Sequence, residues 1–296
     1  MPLDGWLPID KPPGWTSHDV VARCRRQLGE KRVGHGGTLD PDATGLLLVG
    51  VGRVTRLLRF LSALPKGYEG ELVLGTATTT LDASGPVTGA WDMSAVGPEE
   101  LEAAARRLTG DLMQVPPMVS AVQVGGRRLH ELAREGRTVE RAPRPVTVDR
   151  FEVVPVAGAV HRFEVVCSSG TYVRSLVDDL GRALGGGAHV GRLRRVSIGP
   201  FSVSEALPLD DVTPDAVRPP AGALTFLDRV VLGPEALAAV RHGRKLSRQA
   251  LGPPGLRPSG PGPWALVDGA GGLVAVYEAA SPEDEMLSAA VVLTPA

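Results

Sequence analysis

Apolar and polar positions along this 296-residue chain follow two periods, one near three to four residues and one of two, and the switches between them mark the elements. Trp6–Asp10 reads as a short strand. Ser17 is placed as the N-cap of a helix over His18–Leu28, which Gly29 ends. Leu46–Val51 is short and wholly apolar, the mark of a buried strand or a single helical turn. Val54–Leu64 reads as helix, Tyr68–Thr76 as strand, and Asp82-Ala83-Ser84-Gly85 as a turn. Pro98–Leu108 is a helix with proline in its favoured first turn and Gly110 as its stop. Val119–Val124 is strand-like, Leu129–Arg134 a short helix and Glu135–Pro145 a polar arm. Val146–Pro155 and Phe163–Cys167 alternate as paired strands. Tyr172–Leu184 is a helix ended by Gly185, and Leu193–Val203 returns to strand. The order predicts an α+β fold with one mixed or antiparallel sheet carrying helices.

After Arg218-Pro219-Pro220 the pattern changes. A helix-like Pro234–Arg241 precedes a breaker-rich stretch, Gly252–Pro263, which reads as a mobile loop. Trp264–Val267, Leu273–Tyr277 and Val291–Thr294 then read as strands. The expected division is a large domain over residues 1–218 and a small β-rich module over 230–296.

Composition adds bounds to this picture. With 43% hydrophobic residues the chain has ample material for a core. No apolar run approaches a membrane span, and Met1–Asp10 lacks the basic and apolar regions of a signal peptide, so a cytoplasmic location is expected. Cys24 and Cys167 lie far apart and form no CxxC, and the six histidines are scattered, so neither a disulfide framework nor a metal site is expected. The net charge of −1 argues against a protein that coats nucleic acid in bulk. Its distribution matters more than its sum. Arg23, Arg25, Arg26, Lys31 and Arg32 form one cluster, Arg127, Arg128, Arg134, Arg137, Arg141 and Arg144 a second, and Arg192, Arg194 and Arg195 a third. Arginine suits bidentate phosphate contacts. The second cluster is interleaved with Glu131, Glu135 and Glu140 and also reads as a solvated helix face. The third has no acidic neighbour nearby in sequence.

The most informative string is Gly34–Gly45, GHGGTLDPDATG. Pro41 biases Asp40 away from helical geometry, and the glycines permit close backbone approach. A carboxylate on a loop beside the buried Leu46–Val51 run can face a ligand, although Asp-Pro is also a common turn. The string closely resembles the catalytic-aspartate motif of the TruB family of tRNA pseudouridine synthases. Five segments resemble that family in order, across about Trp6–Val203.

The resemblance implies roles residue by residue. Lys11–Val21, KPPGWTSHDVV, would brace the catalytic loop. Asp40 would be the catalytic nucleophile or a ribose-reactive carboxylate. His35 would enter the RNA fold to help extrude the target uridine, since enzymes acting on a stacked base must take it out of the stack. In Pro65–Leu72, PKGYEGEL, Tyr68 would stack on the base and handle a proton, and Lys66 would contact phosphate. Asp82, in TTTLDASG, would meet the RNA, and on its residues alone is equally an Asx-turn. In Ser168–Gly181, SSGTYVRSLVDDLG, Tyr172 and Arg174 are placed in the first turn of a helix, Tyr172 among the substrate-binding residues and Arg174 paired with Asp40. A guanidinium there would lower the pKa of the attacking carboxylate. In Gly187–Phe201, Leu193 would wall the pocket while Arg192, Arg194 and Arg195 track phosphates.

One segment departs from the pattern. Gln114–Gly136 resembles the family's PPxxSAxK stretch, but Gln123 stands where the lysine would be, so that charge is missing or moved to Arg127 or Arg128. The arm that follows, about residues 125–145, would be the mobile element that closes over RNA. The C-terminal module is similar to PUA domains. The activity implied is isomerisation of uridine to pseudouridine at position 55 in the T arm of tRNA, without metal, redox cofactor or ATP, by a stand-alone monomer. An RNA-guided synthase of the dyskerin type is the alternative within the class. The few residues before KPPGWTS and the lack of a Lys/Glu-rich tail set the expectation against it. A non-catalytic tRNA-binding or folding protein is the alternative from another class, and it would not be expected to keep Asp40, Tyr68 and Arg174 together.

Overall fold

The computed structural model describes residues 3–120, 122–251, 260 and 262–293. The loop expected at 252–263 lies almost wholly outside them, as does residue 294 of the last expected strand. The large sheet draws on β1 (Gly5–Lys11), β2 (Val33–His35), β3 (Thr44–Val51) and β4 (Lys66–Leu74). Two short hairpin strands follow, β5 (Thr76–Thr78) and β6 (Val87–Ala90). Then come β7 (Gly110–Gln114), the small hairpin β8 (Gln123–Val124) and β9 (Arg127–Arg128), and β10 (Arg144–Ala157), β11 (Val160–Cys167), β12 (Ala188–Ile198), β13 (Phe201–Ser202) and β14 (Leu207–Pro208). The helices of this part are α1 (Ser17–Leu28), α2 (Leu58–Ala63), α3 (Pro98–Arg107), α4 (Leu129–Arg134) and α5 (Val173–Ala183).

The large sheet runs β14-β1-β3-β12-β4-β11-β10-β7. It is mixed, because β12 runs parallel to β3 and antiparallel to β4. The strand β3, wholly apolar in sequence after its first two residues, is buried along almost its whole length. That is what a strand covered on both faces requires. α3 and α5 pack their apolar stripes on β4, β10 and β11, burying Leu101, Leu176, Leu180 and Phe163 in one cluster. α1 covers β1 and β3 with Val20, Val21 and Cys24.

Three local readings change. Thr16, not Ser17, caps α1: its Oγ1 accepts from Asp19 N, and the Asp19 carboxylate accepts from Thr16 N, a reciprocal capping box. The helix expected over 54–64 splits into a 3₁₀ turn, Gly52–Leu57, and α2, with Thr55 Oγ1 bonding back to Gly52 O. The strand expected over 119–124 shrinks to β8, after which Gly125 and Gly126, both with positive φ, turn the chain into β9.

The C-terminal module holds β15 (Arg229–Val231), α6 (Pro234–Arg241), β16 (Leu246–Ser247), β17 (Trp264–Val267), β18 (Leu273–Glu278) and β19 (Met286–Val292). Its five strands run β15-β17-β18-β19-β16, a curled, PUA-like sheet. Its last strand therefore starts earlier than the sequence pattern suggests. Ala265, Val267, Leu273 and Val276 of this module share one apolar cluster with Trp6, Leu46, Leu48 and Phe201 of the large one. Arg53 and Arg56 donate across the junction to the carbonyls of Leu293 and Val292. The two sheets are therefore expected to melt together. Leu273→Ala should lower a single calorimetric transition of the whole chain, at a cost of about 2–5 kcal/mol for truncating a buried leucine. Two resolved transitions would show independent units. No described helix is long and apolar enough to cross a membrane.

Candidate active site

Asp40 lies between β2 and β3 on a loop held by the buried Ser17 and Lys11 and by the backbone of Gly14. Ser17, freed from capping, accepts from Leu39 N at 2.9 Å and donates to Leu39 O at 3.3 Å. Lys11, fully buried at the end of β1, donates to Pro12 O, Trp15 O and Pro41 O at 3.0, 2.7 and 2.8 Å. Burial pulls its pKa down to about 8, with Asp42 and Asp40 opposing. Gly14 N donates to Pro41 O at 2.9 Å. The KPPGWTS segment thus grips the residues on either side of Asp40. At the loop's exit, Gly45 has φ 101° and passes so close to β12 that a Cβ would meet Arg195 O at 2.3 Å, so only glycine fits.

Arg174 meets this loop from α5, 4% exposed. Its Nε lies 2.9 Å from Asp40 Oδ2 and its Nη2 3.0 Å from Oδ1, a side-on bidentate pair. Its remaining donors reach Thr80 O at 2.8 Å, Val119 O at 2.9 Å and Asp82 Oδ2 at 3.4 Å. Asp82 serves two ends: Oδ1 accepts from Ser84 N in an Asx-turn, and Oδ2 faces Arg174. Tyr172 stands at the N-cap of α5 and not within its first turn. Its backbone N donates to Gln114 Oε1 and its O accepts from Gln114 Nε2, which anchors the helix to β7.

The pKa of Asp40 goes up, against the expectation drawn from Arg174 alone. Burial in the cleft outweighs the guanidinium, which pulls the other way, and Asp82 adds like-charge repulsion. The Tyr68 phenol is also pushed up, by burial, so it stays protonated. His35 falls to about 4 through burial and the nearby His18 and Arg195. It is a neutral imidazole at pH 7, packed edge-on against His18 at 5.3 Å.

Two cavities meet at Asp40, Arg174 and Leu193, which line both. The larger, about 670 Å³, is an open groove past Asp82, Arg192 and Arg194. The smaller, about 260 Å³, has Tyr68, Lys66, Arg195 and Tyr172 in its walls. Together they match the size of a nucleotide pocket with an approach groove.

Lys66 and the three arginines of β12 stand in different settings. Lys66 is buried in the wall of the smaller cavity and donates to Ser62 O and Leu64 O, so two of its three donors brace backbone. Arg195 is buried beneath the Asp40 loop and cannot track phosphates. Arg194 pairs with Asp10 at 2.7 Å, and Arg192 lies 3.7 Å from Glu71, its cross-strand partner. The third cluster therefore does have acidic neighbours, brought by β1 and β4. Gln123 sits opposite Arg128 in the β8–β9 ladder, so a cation stands beside the glutamine. Sequence reading missed Ser17, Gln114 and Asp10 as supporting groups, because each acts through a contact distant in sequence.

The architecture recurs among solved structures. Superposition on a chain of a Cbf5-Nop10-Gar1 complex gives a TM-score of 0.77 at 28% identity, over 98% of this chain and 85% of that one. A chain of an H/ACA RNP bound to a substrate RNA containing 2′-deoxyuridine gives 0.73 at 27% identity. The fold and the family match together define the class of a pseudouridine synthase. Within it, the TruB family pseudouridylate synthase N-terminal domain matches residues 25–173, and the tRNA pseudouridylate synthase B C-terminal domain matches residues 174–238. The tRNA pseudouridine synthase B of Symbiobacterium thermophilum is 47% identical over 81% of this chain and 82% of its own length. That of Mycobacterium sp. strain KMS is 42% identical over 96% of this chain and 91% of its own. This chain belongs to the TruB family of pseudouridylate synthases, which are isomerases.

Proposed function

We propose that this enzyme converts uridine 55 in the T-arm loop of tRNA to pseudouridine, with Asp40 as the carboxylate that reacts with the flipped nucleotide. The observation that carries the reading is the position of Asp40 at the junction of the two cavities, both oxygens held by Arg174. The N1–C1′ bond breaks, the uracil turns, and C5 bonds to C1′. N1 gains a proton and C5 loses one, so no external co-reactant is required. Tyr68, a neutral phenol in the small cavity, supplies a face for the base, and Leu193, its diagonal neighbour on β12, lines the same cavity. Relatives 42–47% identical over most of this chain carry the name tRNA pseudouridine synthase B, which supports tRNA as the substrate.

The likeness to Cbf5 chains favours one second reading, a guided synthase. One assay separates the two. The T-arm stem-loop alone is expected to react, since proteins of this kind read loops whose bases can be splayed out. Product is scored by carbodiimide modification and primer extension. Reaction only with an added guide RNA would favour the guided enzyme, and no isomerisation of any tRNA would remove the catalytic reading.

A further inference from the structure

Arg195 is more deeply buried than Arg174, with 1% of its surface exposed. It stands where three strands meet. Its register partner on β3 is Gly45, and on β4 it is Tyr68. The guanidinium runs beneath the Asp40 loop. Nε donates to Leu46 O at 2.7 Å, Nη2 to Gly37 O at 3.2 Å and Nη1 to Thr38 O at 3.4 Å. Those carbonyls bracket Asp40 on both sides. Among the described residues, no carboxylate lies within salt-bridge distance of Arg195.

A cation taken out of water without an acidic partner is costly, so its retention calls for a return. The planar fork reaches carbonyls on two stretches of the loop at once, which an ammonium cannot match in geometry. Lys11 also holds this loop, through Pro41 O. Arg174 holds the carboxylate itself. Arg195 is therefore the group that ties the backbone under Asp40 to the strand beside Tyr68. Its charge reaches the neighbours too: it pulls the phenol of Tyr68 down against burial and adds to the lowering of Lys66 and His35.

We propose that Arg195 is a positioning residue that holds the backbone of residues 37–46 on β12, so that Asp40 meets the cavity walled by Tyr68, and that it governs the rate of isomerisation rather than affinity for RNA. This rests on the reading of Asp40 as the reacting carboxylate.

The test compares wild type, Arg195→Lys and Arg195→Met in the full chain. Three quantities are read: the single-turnover rate on the T-arm stem-loop at saturating enzyme, the RNA dissociation constant, and amide hydrogen exchange by peptide. Arg195→Lys keeps the charge and loses the fork. It should slow the chemical step about a hundredfold, the scale of a small misplacement of a reacting group. Its Kd should stay near wild type. Exchange should quicken in the peptide covering 37–46 and stay unchanged in α3. A wild-type rate, a loss confined to Kd, or exchange raised everywhere alike would overturn the proposal. Arg195→Met should be slower still, and if it does not fold, Arg195→Lys decides. The two readings fail separately. An active Asp40→Asn enzyme removes the role of Asp40, whereas an unimpaired Arg195→Lys beside an inactive Asp40→Asn removes only the role of Arg195.

Discussion

Asp40→Asn should abolish turnover while the protein still binds tRNA. The amide is nearly isosteric with the carboxylate but cannot act as an anionic nucleophile or base. Its carbonyl can still accept one bond from Arg174, and the supports on its neighbours, from Ser17, Lys11 and Arg195, do not involve its side chain. The rate should fall by about a thousandfold or more, within the span for removal of a positioned acid–base group. Single-turnover assays on the stem-loop, with filter binding alongside, measure both. A residual rate within about tenfold of wild type, a difference of only about 1.4 kcal/mol in the barrier, would end the assignment.

The same carboxylate makes a pH prediction. Its pKa in the folded chain is raised above the ordinary 3.8, burial being the main cause. The folded state therefore holds the proton more tightly than the unfolded one. Stability from this group is fully present below 3.8 and is lost as pH rises through the folded value. At neutral pH the ionised Asp40 costs stability, so Asp40→Asn should melt no lower than wild type there, and any gain should vanish in acid. With the anion as the proposed reacting form, the single-turnover rate should decline in acid with a midpoint above 3.8. A midpoint at or below that value would mean that Arg174 outweighs burial.

Much of this was legible in the sequence, and the limits have physical causes. Periodicity located β1, β3, α5 and α6 because each buries one well-marked apolar face or run. It could not separate Thr16 from Ser17 as the cap, since both hydroxyls suit that position and only the Asp19 carboxylate decides. The Asp40 string and the helix carrying Arg174 could be matched as local motifs, although 134 residues separate the two partners. The arginines of β12 could not be sorted that way. Along one strand, Arg192 and Arg195 differ only in register. One lies across from Glu71 in the open groove, and the other lies between Gly45 and Tyr68 under the loop. Burial of a charged side chain depends on which strands flank it, and no local pattern carries that information. For the same reason the sequence does not show that two donors of the Lys66 ammonium go to backbone carbonyls.

Arg174→Lys should cost far more activity than a retained charge suggests. Arg174 meets both oxygens of Asp40 from the side and keeps three further donors on Thr80 O, Val119 O and Asp82. A lysine ammonium brings three donors around one nitrogen and cannot hold the carboxylate from two directions. The chemical step should slow about a hundredfold, as for other small misplacements of a reacting group. Arg174→Ala should be worse, because it leaves Asp40 and Asp82 facing one another with no cation between them. Arg174 is buried but the Asp40 side chain is 41% exposed, so the cost should fall below the figure of about 3–5 kcal/mol typical of a fully buried pair. Loss of the guanidinium also removes a pull that lowers the Asp40 pKa, so the acid limb of the rate profile should move further up. Adding Asp40→Ala to Arg174→Ala should restore part of the lost stability, with a coupling of about 0.5–3 kcal/mol. The cycle is read from denaturant melts of the four proteins, beside single-turnover rates of Arg174→Lys. Additive stabilities together with a near-normal Arg174→Lys rate would mean that the pair does no work in solution. Arg174 would then serve the fold through Thr80 and Val119 alone.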